Sequence, residues 1–287
     1  MPDLIVAGNW KMNTTVAEAA ALAAGVRDGA AAASGVELVL CPPFVSLAAV
    51  SEAVKGSAVK VGAQNMHFED SGAFTGEVSP AMLQGLCDYV ILGHSERRQM
   101  FAETDESVNS KVKAAQAAGL KPILCVGETL QEREAGKASD VIGGQIRAGL
   151  EGNGNTTGLV VAYEPIWAIG TGQSATPETA VEIMGGAILE TLRSLFSASA
   201  DNISLLYGGS MNAGNAGDYA AQDCIHGGLV GGAALQAESF LQVAAAIAAA
   251  DRVVAAGCLS CGQDVLVVSE LGNVGHGGGG ASETSYG

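Results

Sequence analysis

Eight short, apolar, β-branched runs recur along the 287-residue chain and constrain its fold more than any other feature. They are LIVAG from Leu4, ELVLC from Glu37, VKVGA from Val59, YVILG from Tyr89, PILCV from Pro122, LVVAY from Leu159, SLLYG from Ser204 and GGLVG from Gly227. Runs hydrophobic on both faces suit strands covered from both sides. Between them lie stretches with helical spacing or alanine-rich composition: Val16 to Ala30, Phe44 to Val54, Pro80 to Leu86, Asp105 to Ala118, Ala138 to Leu150, Pro177 to Leu195, Ala213 to Ala221 and Leu235 to Ala250. Buried strands alternating with helices imply an α/β fold with a parallel sheet, and eight such units fit a closed (β/α)8 barrel. The competing architecture is an open doubly wound sheet. No G-x-G-x-x-G follows the first strand, where the chain reads Asn9, Trp10, Lys11 instead.

Polar or glycine residues follow nearly every run: Asn9 and Lys11, Gln64 and Asn65, His94 and Glu96, Glu128, Glu164, Ser210, then Gly231 and Gly232. In a barrel these gather at one rim, where active sites sit. No internal boundary is visible before about Ala250, so residues 1–250 are read as one barrel domain. Residues 251–287 are read as a C-terminal extension. It ends in HGGGGASETSYG, which lacks the apolar content to pack and is expected to be flexible.

Charge limits the partners. Fourteen Lys and Arg stand against thirty Asp and Glu, a net charge of -16. Nucleic acid and anionic membrane surfaces call for a basic patch and are not expected to bind. A small anion would need a local lysine, backbone N–H groups or helix N-termini. No secretory signal precedes the run at Leu4, and the longest apolar run, near Phe240 to Ala250, stops at Asp251 and Arg252, short of the roughly 20 residues of a spanning helix. The chain is therefore expected in the cytoplasm. There its six cysteines would stay reduced and mostly fill the core.

Four segments carry chemistry. In AYEPIWAIGTG, Ala162 to Gly172, a carboxylate ends a strand and Pro165 stiffens the start of the next loop. Ile166, Trp167, Ala168 and Ile169 are apolar beyond the needs of an exposed loop, and they suit a lid that closes on a pocket. Gly170 and Gly172 leave the far hinge free and its N–H groups open to an anion. The bland alternative is a strand-end glutamate in a salt bridge beside an ordinary packed loop. In GHSERR, Gly93 to Arg98, a turn into Ser95 and Glu96 would set a helix N-terminus under His94, lowering its pKa and keeping it neutral, although a lone histidine is more often structural. In GNWKMN, Gly8 to Asn13, Lys11 supplies the local cation if it points inward, with Asn9 on the same side; otherwise it is a solvated surface lysine. The pair YGGS (Tyr207 to Ser210) and LVGG (Leu229 to Gly232) ends the last two strands, where many barrels bind phosphate by backbone N–H.

With those segments placed, the sequence resembles the triosephosphate isomerase family from about Asp3 to Ala250. CPPF at Cys41, GAFTGE at Gly72, CVGE at Cys125 and LVGGA at Leu229 add to the likeness, all in the family's order and spacing. The resemblance implies a TIM barrel that interconverts dihydroxyacetone phosphate and D-glyceraldehyde 3-phosphate through an enediolate, in glycolysis and gluconeogenesis, without metal or organic cofactor. The family is itself an established example of a glutamate base working with a neutral histidine electrophile. By position, Glu164 would move the carbon-bound proton, His94 would polarise the carbonyl and shuttle protons between the oxygens, Lys11 and Asn9 would stabilise negative charge, and Glu96 would position Lys11. Gly170, Ser210, Gly231 and Gly232 would bind the phosphate. The family is typically a homodimer in which the third loop, here Gln64 to Glu77, docks into the partner with Thr75 near its active site.

The chain departs from the family at Gln173, where lysine is frequent, at His226, where an acidic residue is common, and at Met211 after YGGS. The larger departure is the segment after about Ala250, whose Cys258 and Cys261 form half of a tetrahedral metal site at most. A Schiff-base aldolase on the same barrel would need a reactive strand lysine. Only Lys60 lies in such a run, with no partner base in view. A catalytically dead binding paralogue is the other rival.

Overall fold

The computed structural model describes residues 2–168 and 174–250. Its strands are β1 (Ile5–Asn9), β2 (Glu37–Cys41), β3 (Lys60–Ala63), β4 (Tyr89–Leu92), β5 (Lys121–Val126), β6 (Val160–Tyr163), β7 (Ser204–Tyr207) and β8 (Gly227–Val230). They pair in parallel in sequence order, and β1 also pairs with β8, so the sheet closes into the expected eight-stranded barrel. Every predicted run forms a strand, with ends displaced by no more than one residue.

The main helices follow the expected stretches: α1 (Val16–Gly29), α2 (Leu47–Val54), α3 (Pro80–Leu83), α5 (Asp105–Ala117), α7 (Ala138–Gly149), α8 (Pro177–Val181), α9 (Leu189–Phe196), α10 (Ala216–Ala220) and α11 (237–250). Their starts are written locally. Thr15 caps α1 and Thr104 caps α5, each in a reciprocal capping box that satisfies two backbone donors. The short helix α4 (Ser95–Met100) begins at Ser95, where a helix N-terminus is expected under His94, whereas α6 (Leu130–Glu134) lies outside the expected stretches, because one turn and a half shows no periodicity. The stretch expected as one helix from Pro177 to Leu195 is broken by a π-helical segment, Glu182–Ile188, which carries the adjacent glycines Gly185 and Gly186. Among the described residues no helix is long and apolar enough to cross a membrane.

Two apolar layers hold the barrel. Ile5, Ala7, Val39, Cys41, Tyr89, Ile91, Ile123, Cys125, Val160, Ala162, Leu206 and Leu229 form the inner cluster, at alternate positions along their strands. The intervening residues pack outward against the helices, in a continuous cluster that includes Val6, Leu40, Val90, Leu124, Val161 and Phe240.

Candidate active site

The two-residue period carries the inner rows of β1, β5, β6, β7 and β8 one step further, to Asn9, Gly127, Glu164, Gly208 and Gly231. Three of these five are glycines, so of the five only Asn9 and Glu164 project side chains. The space left open belongs to a cavity of about 430 Å³ lined by Asn9, Lys11, His94, Glu164, Ser210, Gly231 and Gly232 among others. That volume suits a small ligand.

Glu164 is 2 % exposed and His94 5 %. The carboxylate accepts two hydrogen bonds, from the Ser95 N–H at 2.9 Å and from His94, whose Nε2 lies 2.8 Å from Oε1. Burial pushes the Glu164 pKa up, but His94, the Ser95 N–H and Lys11 outweigh it and hold the carboxyl below its ordinary value. His94 is itself the N-cap of α4: the Glu96 N–H donates to its Nδ1 at 3.2 Å. An atom that accepts an N–H carries a lone pair, so the imidazole proton sits on Nε2 and points at Glu164.

The expected helix N-terminus is therefore present under His94, but the expected lowering of its pKa is not met in this geometry. Burial pulls the value down, while the Glu164 carboxylate, followed by Glu96, pulls it above the ordinary histidine value. The upward pull of Glu164 depends on its contact with Nε2. The Glu96 N–H disfavours a proton on Nδ1 wherever Glu164 points.

Lys11 occupies the left-handed region at φ 53°, an uncommon conformation for a lysine. Its N–H donates to Asn9 Oδ1 at 3.0 Å, and Gln64 Nε2 donates to both the Lys11 and Cys41 carbonyls at 2.9 Å. Lys11 Nζ reaches the cavity and pairs with Glu96 at 2.5 Å. Across the cavity, the Ser210 hydroxyl donates to the Ala168 carbonyl at 3.1 Å.

The start of the AYEPIWAIGTG segment is anchored by Glu128. This fully buried carboxylate accepts at one oxygen, Oε1, from Trp167 Nε1 (2.9 Å), Tyr163 Oη (3.1 Å) and Arg133 Nη1 (3.2 Å). The Arg133 guanidinium also lies 5.0 Å from the Trp167 ring centroid. On the far side, the Ala175 N–H donates to Tyr207 Oη at 3.0 Å, and Tyr219 Oη donates to the Ala175 carbonyl. Ile169, Gly170, Gly172 and Gln173, with the extension 251–287 and its Cys258 and Cys261, lie outside the described residues.

The fold thus brings Asn9, Lys11, His94, Glu96, Glu164, Ser210, Gly231 and Gly232 to one rim, as the sequence predicts. Thr75 sits apart, on the exposed connection between β3 and α3. Sequence reasoning gave no supporting role to Ser95, Arg133, Gln145, Tyr163 or Tyr207. Only the T-x-x-E box at Thr129 and Glu132, which starts α6 and so places Arg133, left a local signal.

The triosephosphate isomerase family model matches residues 4–247. Triosephosphate isomerase of Endomicrobium trichonymphae is 49% identical over 242 residues, covering 83% of this chain and 96% of the relative. Two Dehalococcoides mccartyi relatives of the same name, from strains BAV1 and 195, are 46% identical over 243 residues and 47% over 244, each covering 85% of this chain and 96% of its own length. The barrel, its glycine-lined rim and this match over nearly the whole of each relative leave one assignment: the chain belongs to the triosephosphate isomerase family.

Proposed function

We propose that the chain interconverts dihydroxyacetone phosphate and D-glyceraldehyde 3-phosphate, with Glu164 as the base and His94 as the electrophile. The carrying observation is the buried contact between the Glu164 carboxylate and His94 Nε2 at the edge of a cavity whose other wall is Ser210, Gly231 and Gly232. In the resting geometry the base is parked on two donors. A substrate whose carbonyl oxygen takes the His94 Nε2–H replaces one of them and frees the carboxylate to reach the neighbouring carbon. Glu164 removes a proton from that carbon, negative charge develops on the oxygen beside His94, His94 passes the hydroxyl proton from one oxygen to the other so that the old hydroxyl becomes the new carbonyl, and Glu164 returns its proton to the former carbonyl carbon. Lys11 and Asn9 lie where they offset that charge, and Glu96 holds Lys11 in place.

Magnitudes show why a base alone is not enough. General base catalysis contributes roughly 10²- to 10⁴-fold, and one well-aimed oxyanion donor is worth about 3–4 kcal/mol. The phosphate grip supplies orientation, through N–H groups at Gly231 and Gly232, at Ser210 and, from the sequence, at Gly170. The segment from Pro165 acts as a lid that keeps water from the enediolate. A coupled assay of triose phosphate interconversion, run with and without chelator, tests the activity. Borohydride trapping with substrate tests for a Schiff base instead.

We also infer a homodimer acting in the cytoplasm. Met12 is 96 % exposed, Val45 76 % and Phe101 65 %, on the stretches that follow β1, β2 and β4, and Met82, in α3 after β3, is 60 % exposed. Large apolar groups this exposed, one after each of the first four strands, are surface that water does not favour. Phe74, beside Thr75, adds to it on the third connection. Sedimentation at assay dilution tests the inference, and a fully active monomer refutes it.

A further inference from the structure

Beneath the base lies a contact that none of the proposed catalytic roles uses. The Glu164 N–H donates to the Val126 carbonyl at 2.8 Å and the Ile166 N–H to the Glu128 carbonyl at 3.2 Å, so two ladder bonds straddle Gly127. Alternation in a parallel ladder turns the polar groups of Gly127 the other way, toward β4. The last register pair of β4 with β5 is Leu92 with Leu124, so no strand partner remains for Gly127 there. Gln145, on α7, takes that place. Its Oε1 accepts the Gly127 N–H at 2.8 Å and its Nε2 donates to the Gly127 carbonyl at 3.0 Å, one side-chain amide standing in for a strand residue.

The contact matters because of what Gly127 touches. A Cβ there would lie 1.8 Å from the Glu164 carbonyl oxygen, so the Glu164 main chain rests directly on Gly127. On its other side, the Gly208 N–H donates to the Tyr163 carbonyl at 2.7 Å, and a Cβ at Gly208 would lie 3.0 Å from Glu164 Cγ. The base is thus seated between two glycines, and one of those is held by Gln145.

We propose that Gln145 is a positioning residue for Glu164, acting through the Gly127 peptide; this rests on the reading of Glu164 as the base. Without the amide, Gly127 is free to shift toward the space β4 leaves, and the Glu164 backbone follows. A displacement near 1 Å at a reacting group costs up to about a hundredfold in rate.

Two variants of the full chain test it, Gln145→Met, which removes both polar groups at similar volume, and Gln145→Glu, which keeps the acceptor but sets a carboxylate against the Gly127 carbonyl. For Gln145→Met, kcat should fall about ten- to a hundredfold. KM for dihydroxyacetone phosphate and the inhibition constant of inorganic phosphate, which probe the opposite wall, should stay within about twofold. Gln145→Glu should recover with acid. A carboxyl facing a carbonyl gains the donor it lacks when protonated, so its kcat relative to wild type should rise at least about threefold from about pH 8 to about pH 5.5. Gln145→Met with kcat within twofold of wild type, or with kcat, KM and the phosphate constant all moving together, overturns the proposal, as does a flat pH ratio for Gln145→Glu. If Gln145→Met does not fold, the pH ratio decides alone. An inactive wild type, or an active Glu164→Gln, would instead overturn the underlying reading.

Discussion

Replacing Glu164 with glutamine tests the site in two ways at once. The first is chemical: losing the base removes roughly 10²- to 10⁴-fold, or about 2.7–5.4 kcal/mol of barrier at about 1.36 kcal/mol per tenfold. KM should change little, because the phosphate is gripped elsewhere. The second is structural and stems from the resting contacts. Both partners of the carboxylate, the Ser95 N–H and His94 Nε2–H, are donors. An amide must turn its own NH₂ toward one of them. If His94 escapes by moving its proton to Nδ1, that proton meets the Glu96 N–H, so the conflict moves without disappearing. A buried donor left unsatisfied costs about 1–3 kcal/mol, which at about 2–4 °C per kcal/mol lowers Tm by about 2–12 °C. A coupled assay and calorimetry read the two effects separately. More than about a tenth of wild-type kcat would remove Glu164 from its role, and an unchanged Tm would refute the donor-to-donor geometry.

The stability difference should also depend on pH. The folded-state pKa of Glu164 lies below its ordinary 4.5, so its contribution is present above about that pH and is lost as pH falls through the depressed value. Urea midpoints of wild type and Glu164→Gln should therefore converge on acidification below 4.5, and a constant gap would contradict the shift. Lys11→Met removes the cation beside the site and should lower kcat/KM by about 10²–10³; a change under fivefold would place Lys11 outside the charge-stabilising group. Trp167→Phe deletes one of three donors to Glu128 Oε1, so thermal unfolding should show a loss of about 1–2 kcal/mol, and an unaltered Tm would mean the indole N–H anchors nothing. Truncation after Ala250 should leave kcat within about twofold, since the family match ends at residue 247; loss of activity would give the extension a role in the barrel.

Much of the fold was legible because its signals are local. A run such as YVILG is buried on both faces whatever surrounds it, and capping at Thr15 or Thr104 is settled within four residues. Where locality fails, the sequence is silent: α6 is too short to show a period, and the break between α8 and α9 falls at paired glycines inside an otherwise helical pattern. The site was legible as residue types at strand ends, but not as an arrangement of partners. Glu164 could be named from its strand and its proline; that it rests on Ser95, 69 positions away, could not.

By itself the sequence determined eight buried strands, the rim on which polar groups gather, and the family to which GNWKMN, GHSERR and AYEPIWAIGTG point. Strand period and turn chemistry are near-neighbour properties, so they survive without the third dimension. Tertiary structure alone decided the contact of His94 Nε2 with Glu164, the left-handed seat of Lys11 under Gln64, the convergence of Trp167, Tyr163 and Arg133 on one oxygen of Glu128, and the amide of Gln145 under Gly127. Most of these depend on elements packed side by side in the folded barrel, which brings residues far apart in the sequence within hydrogen-bond reach, a distance that no spacing along the chain encodes.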